Sequence, residues 1–198
     1  MAPSTSSLLI TMAAWGGYFI LHSVFAAEGI KQSCAKLMGA YFKYYRLIYS
    51  TLFILLLLPP VWLTFRGTPD FMFQHIGLRI AGIGILLMGI GVLGWAGAHF
   101  DQGEFMGISQ IRNRPVSNRL IMDGPYRLVR HPLYFGTILL FKGLFLAYPT
   151  TLVLGTTGVV FLYLIIGSRL EERKLLAIYG TAYADYKRTV KGLIPYLF

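Results

Sequence analysis

The sequence contains little cysteine and few acidic residues. Cys34 is the single cysteine among 198 residues, so one chain cannot form a disulfide framework, a paired-cysteine zinc site or an iron–sulfur cluster. Aspartate and glutamate together number eight, against 18 lysines and arginines. Charged residues make up 13% of the chain, whereas they are about a quarter of a typical soluble domain. The composition therefore excludes an ordinary soluble domain.

Long apolar runs account for much of the chain. Apolar residues make up 56% of the sequence, and a helix needs about 20 largely apolar residues to span a bilayer. We therefore predict an all-α, polytopic membrane protein with about five transmembrane helices. The predicted helices cover residues 7–26, 44–65, 76–98, 132–148 and 150–167. Residues 1–99 are expected to form a three-helix membrane scaffold, and residues 100–198 a catalytic half made of a loop, a helical hairpin and an amphipathic C-terminal helix.

Two local features refine this prediction. Pro59 and Pro60 should kink or end the second helix, because proline removes an amide donor and clashes with the preceding turn. In the third helix, Gly77 and Gly94 each precede an alanine by four residues. Such pairs of small residues let membrane helices approach closely, so these two glycines are expected to mark a helix–helix contact.

Lysine and arginine are concentrated in alternate loops. The first loop with its flank holds four of them, the third loop five and the C-terminal tail six, which is 15 of the 18. Because basic residues collect on the cytoplasmic side of membrane proteins, we expect the N-terminus outside and the catalytic loop and C-terminus in the cytoplasm. The net charge of +10 then reflects topology and contact with anionic membrane lipid, and we expect no nucleic-acid partner.

Polar residues that could carry chemistry lie just before the fourth helix and just after the fifth. Arg130 and His131 lead directly into the fourth helix, and Pro132 suits its first turn. The unpaired amides at such a helix end favour a carboxylate or a phosphate. The alternative interpretation is that Arg130 and His131 are interfacial anchors and that Tyr134 belongs to an aromatic belt.

The second polar group begins with Glu171 and Glu172, directly after the fifth helix. The alternative to a functional pair is that Glu172 forms an ion pair with Arg169 or Arg173 on a solvated helix face, which contributes little stability. Residues 169–190 carry apolar and aromatic side chains at helical spacing. This pattern predicts an amphipathic helix that lies at the membrane interface.

The short connection between the fourth and fifth helices predicts that the two polar groups meet. Two antiparallel helices of similar length begin and end on the same side, so His131 is expected close to Glu171 and Glu172. This proximity is the strongest indication of a functional site.

Other polar residues are weaker candidates. His22 and Glu28 lie near the end of the first helix, where a structural role is the simpler interpretation. His99 has acidic neighbours but no second ligand at a recognised metal-binding spacing, so no metal site is predicted. Lys142 lies within the fourth helix, where an intramembrane charge indicates either function or a side chain that snorkels to the interface.

Three motifs occur in order in the second half of the chain. Residues 124–126 form Gly-x-Tyr, residues 130–136 form Arg-His-Pro-x-Tyr-x-Gly, and residues 171–186 form Glu-Glu-x-x-Leu-x-x-x-x-Gly-x-x-Tyr-x-x-Tyr. Over about residues 110–198 the sequence resembles the isoprenylcysteine carboxyl methyltransferase family, and its length resembles the compact prokaryotic members. The motifs are shared with the wider group of membrane methyltransferases, which includes phospholipid N-methyltransferases.

The resemblance implies a site for S-adenosylmethionine at the membrane interface. The family's cofactor-binding residues correspond to Gln110, Leu120, Ile121, Tyr126, His131, Pro132, Tyr134 and Glu171. The resemblance also implies catalytic roles for Arg169, Glu171 and Glu172. The expected acceptor is the carboxylate of a prenylated cysteine or a similar lipophilic acid that enters from the bilayer. An arginine expected one helical turn before the glutamates is replaced here by Gly167, and Arg169 or Arg173 is the candidate substitute.

Other functions remain open at this point. A phospholipid or other lipid N-methyltransferase would need a base for its amine acceptor, and Glu172 could serve. Sterol-reductase-like enzymes that use NADPH share the Arg-His-Pro-x-Tyr-x-Gly element, but they should carry an Arg-Asp pair at the position of Glu171 and Glu172. A non-catalytic membrane scaffold is the remaining alternative.

Overall fold

The computed structural model of the protein describes residues 3–114 and 119–195, and the regular secondary structure of these residues is all helical, without a β-strand. The helices in chain order are α1 Thr5–Ala26, α2 Glu28–Met38, a 3₁₀ helix Gly39–Tyr44, α3 Tyr45–Leu56, α4 Leu58–Phe65, α5 Ile76–Gly97, α6 Gln102–Met106, α7 Ile108–Ile111, a 3₁₀ helix Gly124–Arg127, α8 Pro132–Ala147, α9 Thr151–Tyr179 and α10 Thr181–Thr189. The two predicted halves of the chain also take in residues 1–2, 115–118 and 196–198, which lie outside the described residues.

Four stretches of helix are long and apolar enough to cross a membrane. They are Thr5–Ala26, Glu28–Phe65, Ile76–Gly97 and Thr151–Tyr179. Helix α8 is apolar as well, but it has 16 residues. At about 1.5 Å per residue it extends about 24 Å, less than the roughly 30 Å of a hydrocarbon core. The predicted all-α membrane protein is confirmed, and the fourth of the five predicted spans is shorter than a usual transmembrane helix.

Contacts divide the described chain into two compact units. The first unit holds residues 3–68 and 100–114, and the second unit holds residues 69–99 and 119–195. Helix α5, which was predicted to belong to the N-terminal scaffold, thus packs in the second unit together with the helical hairpin of α8 and α9.

Buried polar contacts organise the first unit. The indole nitrogen of Trp15 donates a 3.0 Å hydrogen bond to the Thr64 hydroxyl, which itself donates to the Pro60 carbonyl, and this joins α1 to α4. Between α3 and α4 the helix breaks at Leu57, as the adjacent prolines predict. The helix resumes because the prolines lie in the first turn of α4, where backbone amides need no helical partner.

Glycines allow α5 and α8 to pack closely in the second unit. A Cβ atom on Gly89 of α5 would lie 2.6 Å from the Leu140 nitrogen and 2.8 Å from the Gly136 oxygen of α8. The glycines predicted to make this contact were the wrong ones. A Cβ atom on Gly94 would have nothing within 4 Å, and one on Gly77 would meet only the side chain just before its own helix. The close packing of α5 against α8, called the seam below, lies on a different face of α5. This is the face that α8 covers.

The hairpin between α8 and α9 is fixed at its turn. The Thr150 hydroxyl accepts a hydrogen bond from the Val153 amide and caps α9. The Asp70 carboxylate accepts hydrogen bonds from the hydroxyl and the amide of Thr151, at 2.5 and 3.3 Å. Residues before α5 thereby hold the start of α9.

The predicted tail helix over residues 169–190 was wrong in its bounds. Helix α9 continues without a break through Gly167 as far as Tyr179, so no separate tail helix begins at residue 169. The helix ends where Gly180 adopts a φ of +54°, a conformation that side-chain-bearing residues rarely adopt. Helix α10 then folds back against α9.

Candidate active site

The polar segment before α8 is held by buried residues and by the C-terminal segment. Val129 and Pro132 are buried on either side of Arg130 and His131. The amide of Arg130 donates to the Lys191 carbonyl at 2.8 Å, and the amide of His131 donates to the Gly192 carbonyl at 3.1 Å. These two backbone hydrogen bonds fix the entry to α8.

Glu172 lies at the centre of an ion-pair cluster. The Arg130 guanidinium donates to one Glu172 oxygen through Nε at 3.0 Å and also through Nη2. Lys187 Nζ donates to the other oxygen at 2.6 Å. The Arg130 side chain is only 9% exposed, and its Nη1 donates to the carbonyls of Lys187 and Val190. Neither the anchor interpretation of Arg130 nor a Glu172 pair with Arg169 or Arg173 holds, since Glu172 is bound from α10 and from the start of α8.

His131 lies between the two glutamates. Its Nδ1 is 3.6 Å from a Glu171 oxygen, and its Nε2 is 3.4 Å from a Glu172 oxygen. The residue is 5% exposed, and its ring stacks on Tyr134 with 5.4 Å between centroids. This burial excludes an exposed interfacial anchor. The predicted meeting of His131 with both glutamates is confirmed.

Tyr134, Gly167 and Glu171 form the other side of the site. A Cβ atom on Gly167 would lie 3.4 Å from the Tyr134 hydroxyl oxygen, and the Tyr134 ring stacks on His131, which contacts Glu171. Glu171 follows Gly167 by one helical turn, so both lie on the same face of α9. The Glu171 side chain is 46% exposed, compared with 15% for Glu172. Glu171 is therefore the carboxylate that remains accessible to a ligand.

A cavity of about 510 Å³ opens on the Glu172 side of α9. The polar residues that line it include Arg130, His131, Ser168, Arg169, Glu172 and Lys187. Arg169 and Arg173 were the two candidates to replace the cation missing at Gly167. Arg169 lines the cavity, and Arg173 is not among its described lining residues. A basic side chain thus faces the cavity two residues after Gly167.

Buried tyrosines support the site from α10 and from the turn before α8. The Tyr186 hydroxyl donates a 2.6 Å hydrogen bond to the Tyr126 carbonyl. Burial raises the pKa of Tyr126 and Tyr186 above the ordinary value for a phenol. Burial, followed by the charge of Glu172, raises the pKa of Tyr183 to about 12. These phenols stay protonated near neutral pH, so they do not act as general bases there.

Four other residues were predicted to bind the cofactor. Leu120 and Ile121 are half-buried in the segment before the Gly124–Arg127 helix. Pro132 is buried in the first turn of α8, as predicted. Gln110 lies in α7, which belongs to the first unit, whereas the other predicted cofactor residues belong to the second.

Sequence reasoning missed Lys187 and the carbonyls of residues 190–192. No pattern along the chain pairs Lys187 with Glu172, because the contact depends on the turn at Gly180. His99, considered as a metal ligand, packs its ring against Gly124. No group of three or more His, Cys, Asp or Glu side chains placed to hold a metal occurs within residues 3–114 and 119–195.

Comparisons with known proteins point to one reaction class. The sequence profile described as phospholipid methyltransferase matches residues 77–182. Methanethiol S-methyltransferase 2 of Bradyrhizobium diazoefficiens is 29% identical and covers 97% of this chain and 74% of its own length. A methanethiol S-methyltransferase of Mycobacterium tuberculosis is 28% identical over 98% of this chain and 81% of its own length. One from Pseudomonas deceptionensis is 26% identical over 96% of this chain and 71% of its own length. No solved structure gives a significant match.

The matched region contains most of the cluster described above, although Lys187 lies beyond its end. It runs from α5 through the turn at Gly124 and the hairpin to the start of α10, and it includes His131 and both glutamates. The resemblance drawn from the three motifs is thereby confirmed at the level of the family. With its apolar helices and this match, the chain belongs to the phospholipid methyltransferase family and is a membrane methyltransferase.

Proposed function

We propose that the protein transfers a methyl group from S-adenosylmethionine to the sulfur of a small thiol. The observation that carries the proposal is the surroundings of Gly167. The position where the family resemblance implies an acceptor-binding arginine has no side chain, and the nearest polar group is the neutral Tyr134 hydroxyl. A carboxylate acceptor needs a cation to orient it, whereas a small thiol does not. The names of the three relatives, all methanethiol S-methyltransferases, agree with this acceptor.

The residues of the second unit suit the methyl donor. S-adenosylmethionine, when bound, supplies an electrophilic methyl group on a sulfonium, and it also carries an ammonium group and a carboxylate. The accessible Glu171 carboxylate, which lies beside His131, can receive the cationic groups. Arg169 and Lys187 line a cavity of about 510 Å³ and can receive the carboxylate. The second unit thus offers charges of both signs to a donor that carries both.

The proposed reaction needs a proton acceptor for the thiol. A free thiol has a pKa of about 8.5, so most of it is protonated at neutral pH, and sulfur attacks as the thiolate. Glu171 is the accessible carboxylate and can accept this proton, while His131, held between the two glutamates, fixes its position. The new carbon–sulfur bond forms as the sulfonium–methyl bond breaks, and the neutral thioether of the donor leaves. The protein otherwise aligns the partners and excludes water.

A carboxylate acceptor is the second candidate, because Arg169 lines the cavity. Arg169 could orient the carboxylate of a prenylated cysteine that enters from the bilayer, as the family resemblance implies. This acceptor would have to approach α9 from the Glu172 side, whereas a small thiol can reach the Gly167 side. The two candidates therefore differ in the face of α9 that the acceptor occupies.

The experiment compares three acceptors on purified protein in proteoliposomes. Methyl-labelled S-adenosylmethionine is supplied with methanethiol, with a farnesylated cysteine analogue or with phosphatidylethanolamine. We expect labelled dimethyl sulfide in the headspace and little transfer to the other two acceptors. The Glu171→Gln variant should lose this activity, while Arg173→Gln should keep it. Methylation of the farnesylated cysteine or of the amine lipid in place of methanethiol would overturn the proposal.

Cofactor identity is tested separately by calorimetry. S-adenosylhomocysteine should bind the detergent-solubilised protein, and NADPH should not. Binding of NADPH without S-adenosylhomocysteine would favour the sterol-reductase-like alternative and would contradict the proposed donor.

A further inference from the structure

A second and larger cavity lies within the first unit. Its volume is about 820 Å³, inside the range of roughly 300–1,000 Å³ that is typical of ligand pockets. It is formed by the C-terminal end of α1, by α2, by the 3₁₀ helix after it, by the start of α3 and by α6 and α7. Gly107, with a φ of +89°, lets the turn between α6 and α7 approach α3, since a Cβ there would lie 2.7 Å from the Leu47 nitrogen.

Aromatic residues form much of the cavity wall. The rings of Phe42 and Tyr45 are stacked with 5.3 Å between centroids. The Tyr45 hydroxyl donates to the Phe25 carbonyl at 2.6 Å, and the Tyr49 hydroxyl donates to the His22 carbonyl at 3.1 Å. These bonds tie α3 to α1 and leave the aromatic rings as apolar wall. The wall is thus suited to an apolar chain.

The same cavity carries three cations. Lys31, Lys43 and Arg46 line it, and among its described lining residues there is no aspartate or glutamate. The Nε atom of Arg46 donates to the Phe105 carbonyl at 3.0 Å, which fixes the guanidinium at the cavity. Lys31 approaches Glu28 only at 3.7 Å, and the Glu28 side chain is 71% exposed, so this ion pair is weak. The cavity therefore favours an anion.

Gln110 adds a hydrogen-bond acceptor. Its side-chain nitrogen donates to the Glu104 carbonyl at 3.3 Å. Its side-chain oxygen is buried and has no hydrogen-bond partner among the described residues. Buried polar atoms in proteins are nearly always satisfied, so this oxygen indicates a ligand that brings a donor.

We propose that this cavity binds an acidic phospholipid whose headgroup carries a hydroxyl, such as phosphatidylglycerol. The phosphate would lie among Lys31, Lys43 and Arg46, the headgroup hydroxyl would donate to Gln110, and the start of an acyl chain would pack on the aromatic wall. Both helical stretches that line most of the cavity are long enough to cross a membrane, so bilayer lipid has direct access. The proposal is independent of the proposed methyl transfer.

Native mass spectrometry of the full-length, detergent-solubilised protein measures this binding. We expect saturable binding of phosphatidylglycerol and much weaker binding of phosphatidylcholine, which has no net charge and no headgroup hydroxyl. Glycerol phosphate, added alone, distinguishes a lipid site from a site for a soluble phosphate and should bind far more weakly. Equal binding of the two lipids would overturn the proposal, and so would binding of glycerol phosphate as tight as that of the lipid.

Matched variants test the position of the site. Lys43→Gln should weaken phosphatidylglycerol binding about fivefold, the effect of one basic residue at an anionic lipid surface. Lys36→Gln also removes one positive charge, but Lys36 lies in α2 and does not line the cavity. This variant should therefore leave binding unchanged. Gln110→Met should reduce the preference for phosphatidylglycerol over an anionic lipid without a headgroup hydroxyl. Equal effects of Lys43→Gln and Lys36→Gln would mean that only general surface charge is involved, which would overturn the assignment of the site.

The cofactor is the competing occupant, because Gln110 was also predicted as one of its contacts. S-adenosylhomocysteine should not displace phosphatidylglycerol. If S-adenosylhomocysteine displaces the lipid competitively, and if Lys43→Gln and Gln110→Met both weaken S-adenosylhomocysteine binding, the cavity belongs to the cofactor. That result would overturn the lipid proposal.

Discussion

Glu171 and Glu172 are neighbours in sequence, but they have different surroundings. Adjacent residues on a helix point about 100° apart, so one turn of α9 presents the two carboxylates to different partners. Glu172 is bound by Arg130 and Lys187. Glu171 contacts His131 at 3.6 Å and is 46% exposed. We infer that Glu172 maintains the structure of the site and that Glu171 is available to the ligand.

Substituting each glutamate separately tests this division. Glu172→Gln leaves the buried Arg130 without its counter-charge, and removing one partner of a buried pair costs about 3 kcal/mol. Its melting temperature should fall clearly. Glu171→Gln should melt like the wild type and bind S-adenosylhomocysteine about tenfold more weakly, the size of one charge-assisted hydrogen bond. Thermal unfolding and calorimetry provide the two measurements. Normal binding by Glu171→Gln would show that the cofactor lies elsewhere.

The sequence predicted part of this site for a clear reason. His131 and Tyr134 lie one turn apart, and the short hairpin necessarily brings them to the end of the fifth span. Both constraints are local in the sequence, so the spacing of the residues along the chain is enough to predict them. The contacts of Lys187 with Glu172 and of residues 191–192 with the start of α8 are long-range. They depend on the angle at which the chain turns at Gly180, and a helical pattern does not encode that angle.

At the level of helices, the seam between α5 and α8 depends on one face of each helix. The sequence correctly indicated that α5 packs closely, because its glycines are unusually frequent. The sequence did not indicate which face of α5 makes the contact, because that depends on α8 and on the register between α5 and α8. Similarly, helix α9 continued past the predicted boundary because Gly167 keeps a helical conformation and only Gly180 adopts a positive φ.

Two alanine substitutions in α5 distinguish the faces. Gly89→Ala would place a methyl group 2.6 Å from the Leu140 nitrogen, and overpacking of this kind costs about 1–3 kcal/mol. Gly91→Ala, two residues later, has nothing within 4 Å and should be neutral or should stabilise by about 0.5 kcal/mol, because alanine favours helix more than glycine does. Thermal unfolding in detergent measures both. Destabilisation by Gly91→Ala equal to that by Gly89→Ala would contradict the described seam.

For the whole molecule, the distribution of charge predicts the orientation in the membrane. Three segments hold 15 of the 18 basic residues, and these segments should share the cytoplasmic side. A protease added to right-side-out vesicles should therefore spare the loop around residue 112 and the segment after α10. Permeabilised vesicles serve as the control, because the same bonds should then be cut. Cleavage after α10 in sealed vesicles would reverse the predicted orientation.

The division of the chain into two units was not accessible from composition. Apolar runs predict which residues form membrane-spanning helices, and within residues 3–114 and 119–195 four helical stretches are long and apolar enough to do so. They carry no information about which helices pack together. Helix α5 follows four earlier α-helices in sequence, yet it packs most closely with α8, more than 30 residues later.

The 16 residues of α8 impose a thickness requirement on the surrounding lipid. A hydrophobic helix shorter than the bilayer is accommodated by local thinning of the membrane, at a cost that grows with each ångström of mismatch. Because α8 begins at Pro132, directly after His131, this thinning would draw the water boundary towards the proposed methyl-transfer site. We expect activity in vesicles of short-chain lipids to exceed that in long-chain lipids at equal fluidity. The protein would then favour thin membranes, so that hydrophobic mismatch, and not only the acceptor, governs where it works best.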